Sequence, residues 1–303
     1  MHTLGICAAV AILAGCSGGS QAGSVPTLPS SPQQQNASGS RAQNAHPDLP
    51  SSTTFGAGNS KGMTYVAPIG TTTVYGYNRR NRTNQPPICT LGPFASVNGG
   101  IGVDQSGNLW VPDQGAIPKI VTEYGPDCGA AKTVLTDPGD AGPDNVAFDT
   151  NGHVYVSNSF ANSGGRGNIL QYTGTSITKT LSDSDIATPQ GLAVDKRNNV
   201  WVSYRDPGST GTYVAEFRHG NMPARLFKNI SLGFPGSLQF DRNQNPMGPN
   251  GNYSSLDIYA PPYTESKPTL DLSWKTVRSQ IPACAPSAPT KIGCTAPLGF
   301  LAS

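Results

Sequence analysis

Gly102-Val103-Asp104-Gln105-Ser106-Gly107-Asn108-Leu109-Trp110-Val111-Pro112-Asp113 is the stretch that decides the fold of this 303-residue chain. It reads as an apolar strand, a tight turn opened by Asp and closed by Gly-Asn, and a second apolar strand with a large aromatic. An Asp carboxylate accepts hydrogen bonds from backbone N–H groups two or three residues on, and Gly or Asn tolerates the left-handed backbone that closes the hairpin. The phrase returns at Val146-Ala147-Phe148-Asp149-Thr150-Asn151-Gly152-His153-Val154-Tyr155-Val156. It returns again at Leu192-Ala193-Val194-Asp195-Lys196-Arg197-Asn198-Asn199-Val200-Trp201-Val202. Weaker copies are Leu238–Asn245 and Gly58–Val66. The turn residues fall at 59, 104, 149, 195 and 241, with spacings of 45, 45, 46 and 46. So regular a period predicts a repeat architecture.

Each repeat holds four short strand candidates separated by Gly, Pro, Asn and Asp. In the fourth they are Gly191–Val194, Asn199–Ser203, Tyr213–Phe217 and Arg225–Phe227, and no sustained helical period intervenes. A third-strand aromatic also recurs, at Tyr77, Tyr124, Tyr172, Phe217 and Tyr259. A single four-stranded sheet cannot bury both of its faces, whereas sheets stacked radially can. The fold class expected is therefore all-β, a β-propeller of four-stranded blades. The first strand of each blade would line the central channel, and the recurring aromatics would pack between blades. The Asp turns are read as hairpin closures. A ring of acidic metal sites is set aside because the turns are expected on an outer rim, far from one another.

The phrases around Asp104, Asp149 and Asp195 resemble NHL repeats and the related blades of the SMP-30/gluconolactonase group and of streptogramin lyases. The resemblance covers roughly residues 55–275 and implies a propeller; it is weak for any one function, because the fold hosts many.

The repeats are expected at about 54–95, 98–135, 144–182, 190–231 and 236–275, within one domain spanning 53–303 that ends in a C-terminal tail. In the fifth, Pro246 and Gly248 interrupt the second strand and predict an edge, a bulge or a loop there. Pro297–Ala302 resembles the opening strand of another blade. It either closes blade one or belongs to an incomplete sixth blade. The formal net charge of +2 and the 13% of charged residues leave no basic stripe, so nucleic acid is not an expected partner.

Residues 1–15 read as a signal peptide. Leu4–Ala14 is apolar, too short to span a bilayer but suited to a signal-peptide core. Leu13-Ala14-Gly15-Cys16 resembles a bacterial lipobox. That resemblance implies cleavage before Cys16, a lipid on Cys16, and a membrane-attached protein of the bacterial cell envelope, at the outer membrane or cell surface. One departure is an n-region with His2 and no Lys or Arg. Residues 16–52 are expected to be a disordered tether, because from Ser17 on they hold no aromatic residue and only Arg41 and Asp48 as charges. The remaining cysteines, Cys89, Cys128, Cys284 and Cys294, allow three pairings. The favoured ones are Cys284–Cys294, a local loop, and Cys89–Cys128, in comparable regions of neighbouring blades. No C-x-x-C occurs, and zinc is not expected.

Loops between blades, together with the second-to-third-strand loops, surround one mouth of the channel. The candidate ligand-binding residues on that face are Asp113, Asp144, Asn158, Gln190, Tyr204 and Arg205. Arg205 is the candidate to pair an anionic group, with Tyr204 and Phe160 as stacking surface. The lactonase resemblance implies a divalent cation held by a Glu, two Asn and an Asp ahead of the innermost strands. The equivalent phrases here carry Gly99-Gly100, Asp144, Gln190 and Gly236, and only Asp144 matches. A metal or other cofactor is therefore not expected. The two histidines of the repeats, His153 and His219, fall in turns on the opposite face, and no nucleophile elbow or phosphate-binding loop occurs. The reading that follows is a monomeric, non-catalytic binding module, with an envelope protein, a glycan or a small ligand at the mouth. The alternative is a lactonase-, hydrolase- or lyase-like propeller enzyme with a degenerate or unrecognised site.

Overall fold

In a computed structural model the chain divides into residues 1–47 and residues 48–303. The structure describes residues 63–67, 72–78, 86–97, 100–137, 142–161, 165–208, 211–232, 238–241, 243–250, 255–264, 268–273 and 300–302, all in the second unit. The expected signal peptide and tether, with Cys16, and Cys284 and Cys294 lie outside them. Among the described residues no helix is long and apolar enough to cross a membrane.

The described strands form five antiparallel sheets of four. Blade two holds β4 (Gly102–Val103), β5 (Leu109–Asp113), β6 (Ile120–Tyr124) and β7 (Ala131–Thr136). Blade three holds β8 (Pro143–Phe148), β9 (Val154–Ala161), β10 (Gly165–Thr173) and β11 (Ser176–Leu181). Blade four holds β12 (Thr188–Val194), β13 (Val200–Arg205), β14 (Thr212–Phe217) and β15 (Arg225–Phe227). Blade five holds β16 (Gln239–Phe240), β17 (Pro246–Asn250), β18 (Ser255–Ile258) and β19 (Leu270–Ser273).

Blade one combines β1 (Met63–Ala67), β2 (Val74–Asn78) and β3 (Cys89–Leu91) with β20 (Phe300–Ala302), in the order β20-β1-β2-β3. The C-terminal strand thus closes blade one, which resolves the alternative the sequence leaves open. Innermost strands β20, β4, β8, β12 and β16 lie side by side in that order. Tyr65 pairs with Ala302 and Ala67 with Phe300. The start of β1 and the end of β20 therefore share the end of the blade that in blades two to five carries the Asp turns.

Blade five corrects one expectation. Pro246 opens β17 and pairs with Phe240, and Met247 pairs with both Gln239 and Ile258. Proline is tolerated as the first residue of a strand, and the Pro246 carbonyl still accepts from Tyr259 N at 3.0 Å.

The Asp turns close their hairpins as the spacing implies. Asp104 Oδ1 accepts from Ser106 N and Asn108 N (2.8 and 2.9 Å), and its Oδ2 from Asn108 Nδ2 and Trp110 Nε1 (2.9 and 3.0 Å). Asp195 repeats the set with Arg197 N, Asn199 N, Asn199 Nδ2 and Trp201 Nε1. Asp241 takes Asn243 N, Asn245 N and Asn245 Nδ2. The fourth turn residue is left-handed each time: Gly107 (φ 81°), Gly152 (φ 83°), Asn198 (φ 61°) and Gln244 (φ 65°). The turns are not far apart, as the sequence reading had them. They follow the innermost strands, so each reaches the next. Gln105 Nε2 donates to the Asp149 carbonyl (3.3 Å), Thr150 N and Oγ1 to Asn198 Oδ1 (3.1 and 2.9 Å), and Lys196 N to Gln244 Oε1 (3.0 Å).

The core lies between blades. Leu109 and Val111 of blade two pack with Tyr65 and Val74 of blade one. Trp110 packs with Val154 and Tyr172, and Phe217 with Tyr155 and Ile169. Trp201 stacks on Phe227 (ring centroids 5.1 Å apart) and meets Phe240 of blade five edge-on. Tyr77, Tyr172, Phe217 and Tyr259 are buried, as expected of the recurring aromatic, and Tyr124 is half-buried. Tyr172 Oη donates to the Thr136 carbonyl of blade two and Tyr259 Oη to the Ser231 carbonyl beyond blade four (3.3 and 2.7 Å). Cys89 and Cys128 are disulfide-bonded with Cα atoms 6.2 Å apart, tying blade one to the β6–β7 turn of blade two.

Candidate functional site

The mouth face is built by the starts of the innermost strands and the ends of the second strands. In blades three and four the innermost strands carry a proline at or next to their start, Pro143 first in β8 and Pro189 second in β12, and both strands are bulged there. Pro143 pairs with Asn158 and Asn145 with Ser157, so Asp144 is the extra residue. Pro189 pairs with Tyr204 and Leu192 with Val202, so Gln190 and Gly191 together face Ser203. Proline cannot donate to a ladder and an innermost strand is an edge, so the position suits it. A bulge re-aims the side chain it carries. Here the two bulges aim Asp144 and Gln190 at each other.

Asp144 is 6% exposed. Its Oδ2 accepts from Ser159 Oγ, and the Gln190 side chain also hydrogen-bonds to its carboxylate. Burial pushes the Asp144 carboxyl up to about 6, against the two hydrogen bonds, which pull it down. Ser157 Oγ donates to the Gln190 carbonyl at 2.5 Å, and Gly191 N donates to Ser203 Oγ at 3.0 Å. Gln190 Oε1 is buried with no hydrogen-bond partner among the described residues. The site is thus one buried carboxyl, two donors already turned onto it, and one unused carbonyl acceptor beside it. A Cβ at Gly167 would overlap the Asn158 carbonyl and the Pro189 ring, so blade three can approach the Pro189-Gln190 bulge this closely only with glycine there.

The other sequence-derived candidates stand apart from this pair. Asn158 is fully buried and lies between Ser157 and Ser159 on β9, so it points to the opposite sheet face. There its Nδ2 donates to Asn168 Oδ1 at 2.8 Å. Asp113 accepts from Ala95 N, Ser96 N and Gly115 N at 2.8–3.1 Å, which fixes the loop entering blade two. Arg205 is exposed at the end of β13. Tyr204 is corrected: it is 0% exposed and packs with Ile186, Leu192 and Val202 between blades three and four, so it offers no stacking face to a ligand. Its phenol is raised by burial and by the carboxylates of Asp206, Asp185 and Asp183. Ser157 escaped the sequence reading, and Ser159, expected on the mouth face beside Asn158, was not singled out as a ligand residue. Their signal was a Ser-Asn-Ser stretch ending the second strand opposite a Pro-Asp start, and only the bulged register makes it legible.

The residues at the mouth do not fit the divalent cation that the resemblance implies. One carboxylate already holding two hydrogen bonds, plus one amide carbonyl, falls short of the six to eight oxygens a calcium-sized ion takes. Among the described residues no group of three or more His, Cys, Asp or Glu converges.

No family model matches the chain, and no curated protein matches it in sequence. Solved structures do. A protein of unknown function from Bacteroides caccae superposes with a TM-score of 0.52 at 11% identity, over 70% of this chain and 72% of that one. A gluconolactonase from Xanthomonas campestris gives a TM-score of 0.47 at 16% identity, over 69% and 76% of the two chains. A streptogramin B lyase gives 0.46 at 12% identity, over 71% and 67%. At such identities the likeness is one of fold. Among the described residues five radially packed four-stranded sheets, the first completed by β20, make this chain a β-propeller.

Proposed function

We propose that this protein is a monomeric, lipid-anchored binding propeller of the bacterial cell envelope that takes its ligand at the mouth between blades three and four. The observation that carries the reading is the pair of bulges that turn Asp144 and Gln190 onto each other. A chain that needed only a closed propeller would have no use for a carboxyl buried there, since burying it costs free energy. The anchor is supported by Leu13-Ala14-Gly15-Cys16 and the aromatic-free tether that follows. Described strand β1 starts, and β20 ends, on the face opposite Asp144, which leaves the mouth clear of both. Arg205, exposed at the rim, is the residue to pair an anionic group on an envelope protein or glycan.

Two experiments test this. Cys16→Ser should release the protein from membranes and abolish incorporation of labelled fatty acid; retention with label intact sinks the anchor. For the mouth, candidate envelope ligands are added to the intact protein and the unfolding midpoint is followed. A ligand at about 100 times its Kd stabilises by roughly 2.7 kcal/mol. A rise that survives both Asp144→Asn and Gln190→Ala places the ligand elsewhere.

One observation favours a second reading, a propeller enzyme. A carboxyl raised to about 6 can give and take a proton near neutrality. Turnover of a lactone or ester by the intact protein, lost in Asp144→Asn, would establish it; a panel of such substrates left unchanged by the wild type removes it.

A further inference from the structure

The donors and acceptors at the mouth specify what could enter, given that the mouth is a ligand site at all. Ser159 Oγ–H and the Gln190 amide are already spent on Asp144. Gln190 Oε1 is a buried acceptor without a partner among the described residues. The groups that act on the Asp144 carboxyl are Ser159 and Gln190; no Lys or Arg is among them. When ionised, Asp144 is therefore a buried negative charge next to a second acceptor, with no Lys or Arg acting on it among the described residues. Such a charge is costly until it is paired.

Ligand classes can be sorted on that basis. An anion adds like charge to like. A neutral hydroxyl can donate to Gln190 Oε1 but leaves the charge of Asp144 standing. A guanidinium brings five N–H donors in a planar fork, more than one carboxylate and one carbonyl can accept. An ammonium is compact, carries one positive charge and presents three rotatable donors. We infer that the wall between blades three and four is a binding site for a small primary amine in its ammonium form, with Asp144 accepting its charge and Gln190 Oε1 a second N–H.

The test is calorimetric titration of the intact protein at about pH 8, where Asp144 is ionised. The probes are n-butylammonium, its N-trimethyl derivative, n-butanol, butyrate and calcium chloride. The expected result is binding of n-butylammonium, with the N-trimethyl derivative and n-butanol weaker by about tenfold or more, since each lacks either the donors or the charge. Asp144→Asn, which keeps the shape, should weaken n-butylammonium by about tenfold or more. Ser159→Ala keeps the charge and should retain most of the affinity. Equal affinity for the N-trimethyl derivative, or no heat from n-butylammonium, overturns the proposal. Binding of n-butanol, butyrate or calcium that Asp144→Asn abolishes also overturns it, while leaving the mouth as a ligand site. Binding of n-butylammonium that Asp144→Asn leaves unchanged sinks both the ammonium assignment and the use of this mouth.

Discussion

Innermost strand β8 has an aspartate at its head and another just past its foot. Both are buried: Asp149 is 3% exposed and Asp144 6%. Asp149 receives Asn151 N, His153 N, His153 Nδ1 and Tyr155 Oη at 2.7–3.2 Å. Among the described residues Asp144 receives Ser159 and Gln190 alone. A carboxylate surrounded by donors is a fastener. One left short of donors carries a cost that the fold does not recover, and natural chains keep such costs where function needs them. The difference separates the two ends of the propeller: one face is stitched together by aspartates, the other holds one in reserve.

The largest expected effect tests the fastener. Asp149→Ala leaves two backbone N–H groups and the Tyr155 hydroxyl without their acceptor, and should cost about 3 kcal/mol in chemical unfolding. A cost below about 1 kcal/mol would mean that solvent replaces the carboxylate, and the contrast would collapse.

The next test runs in the opposite direction. The Asp144 carboxyl is raised from 3.8 to about 6 on folding, so the folded state holds the proton more tightly than the unfolded one. The stability this lends is fully present below about pH 4 and is lost as pH rises through about 6, on the order of 3 kcal/mol in all. Asp144→Asn should therefore raise the unfolding midpoint at about pH 8 and flatten the profile between about pH 4 and 6. An unchanged profile would show that the mouth carboxyl is as well compensated as the turn carboxylates.

Smaller changes sharpen the comparison. Blade three uses His153 where the other turns use Asn108, Asn199 and Asn245 to reach the same carboxylate oxygen. His153→Asn should fold within about 1 kcal/mol of the wild type in thermal unfolding; a larger loss would give this histidine a duty beyond the turn. Gln105→Ala removes one contact from turn to turn and should cost no more than about 0.5 kcal/mol, near the limit of detection by urea titration.

How much could be read beforehand follows from the range of each interaction. The Asp turns, the period and the buried third-strand aromatics depend on residues a few positions apart, and they were legible. Trp110 and Trp201 reaching back to the aspartate six residues earlier were not, although the spacing was there to see. The Asp144–Gln190 pair depends on two cross-strand registers, each displaced by a bulge, and periodicity carries no record of a bulge. Tyr204 misled because the end of a strand next to a loop looks exposed until the neighbouring blade is in place. Pro246 misled because a proline at the first position of a strand reads in sequence like one in its middle. The closing strand could only be offered as one of two outcomes, since its partner lies at the other end of the repeats.

That closure also sets an order of events. Strand β20 completes the blade begun by β1, nearly the whole repeat array earlier. β20 follows the strands of blades two to five along the chain, so the inner edge of β1 has no partner from its own blade until β20 arrives. Contacts so distant along the chain are slow to find, and an open edge invites pairing with another chain.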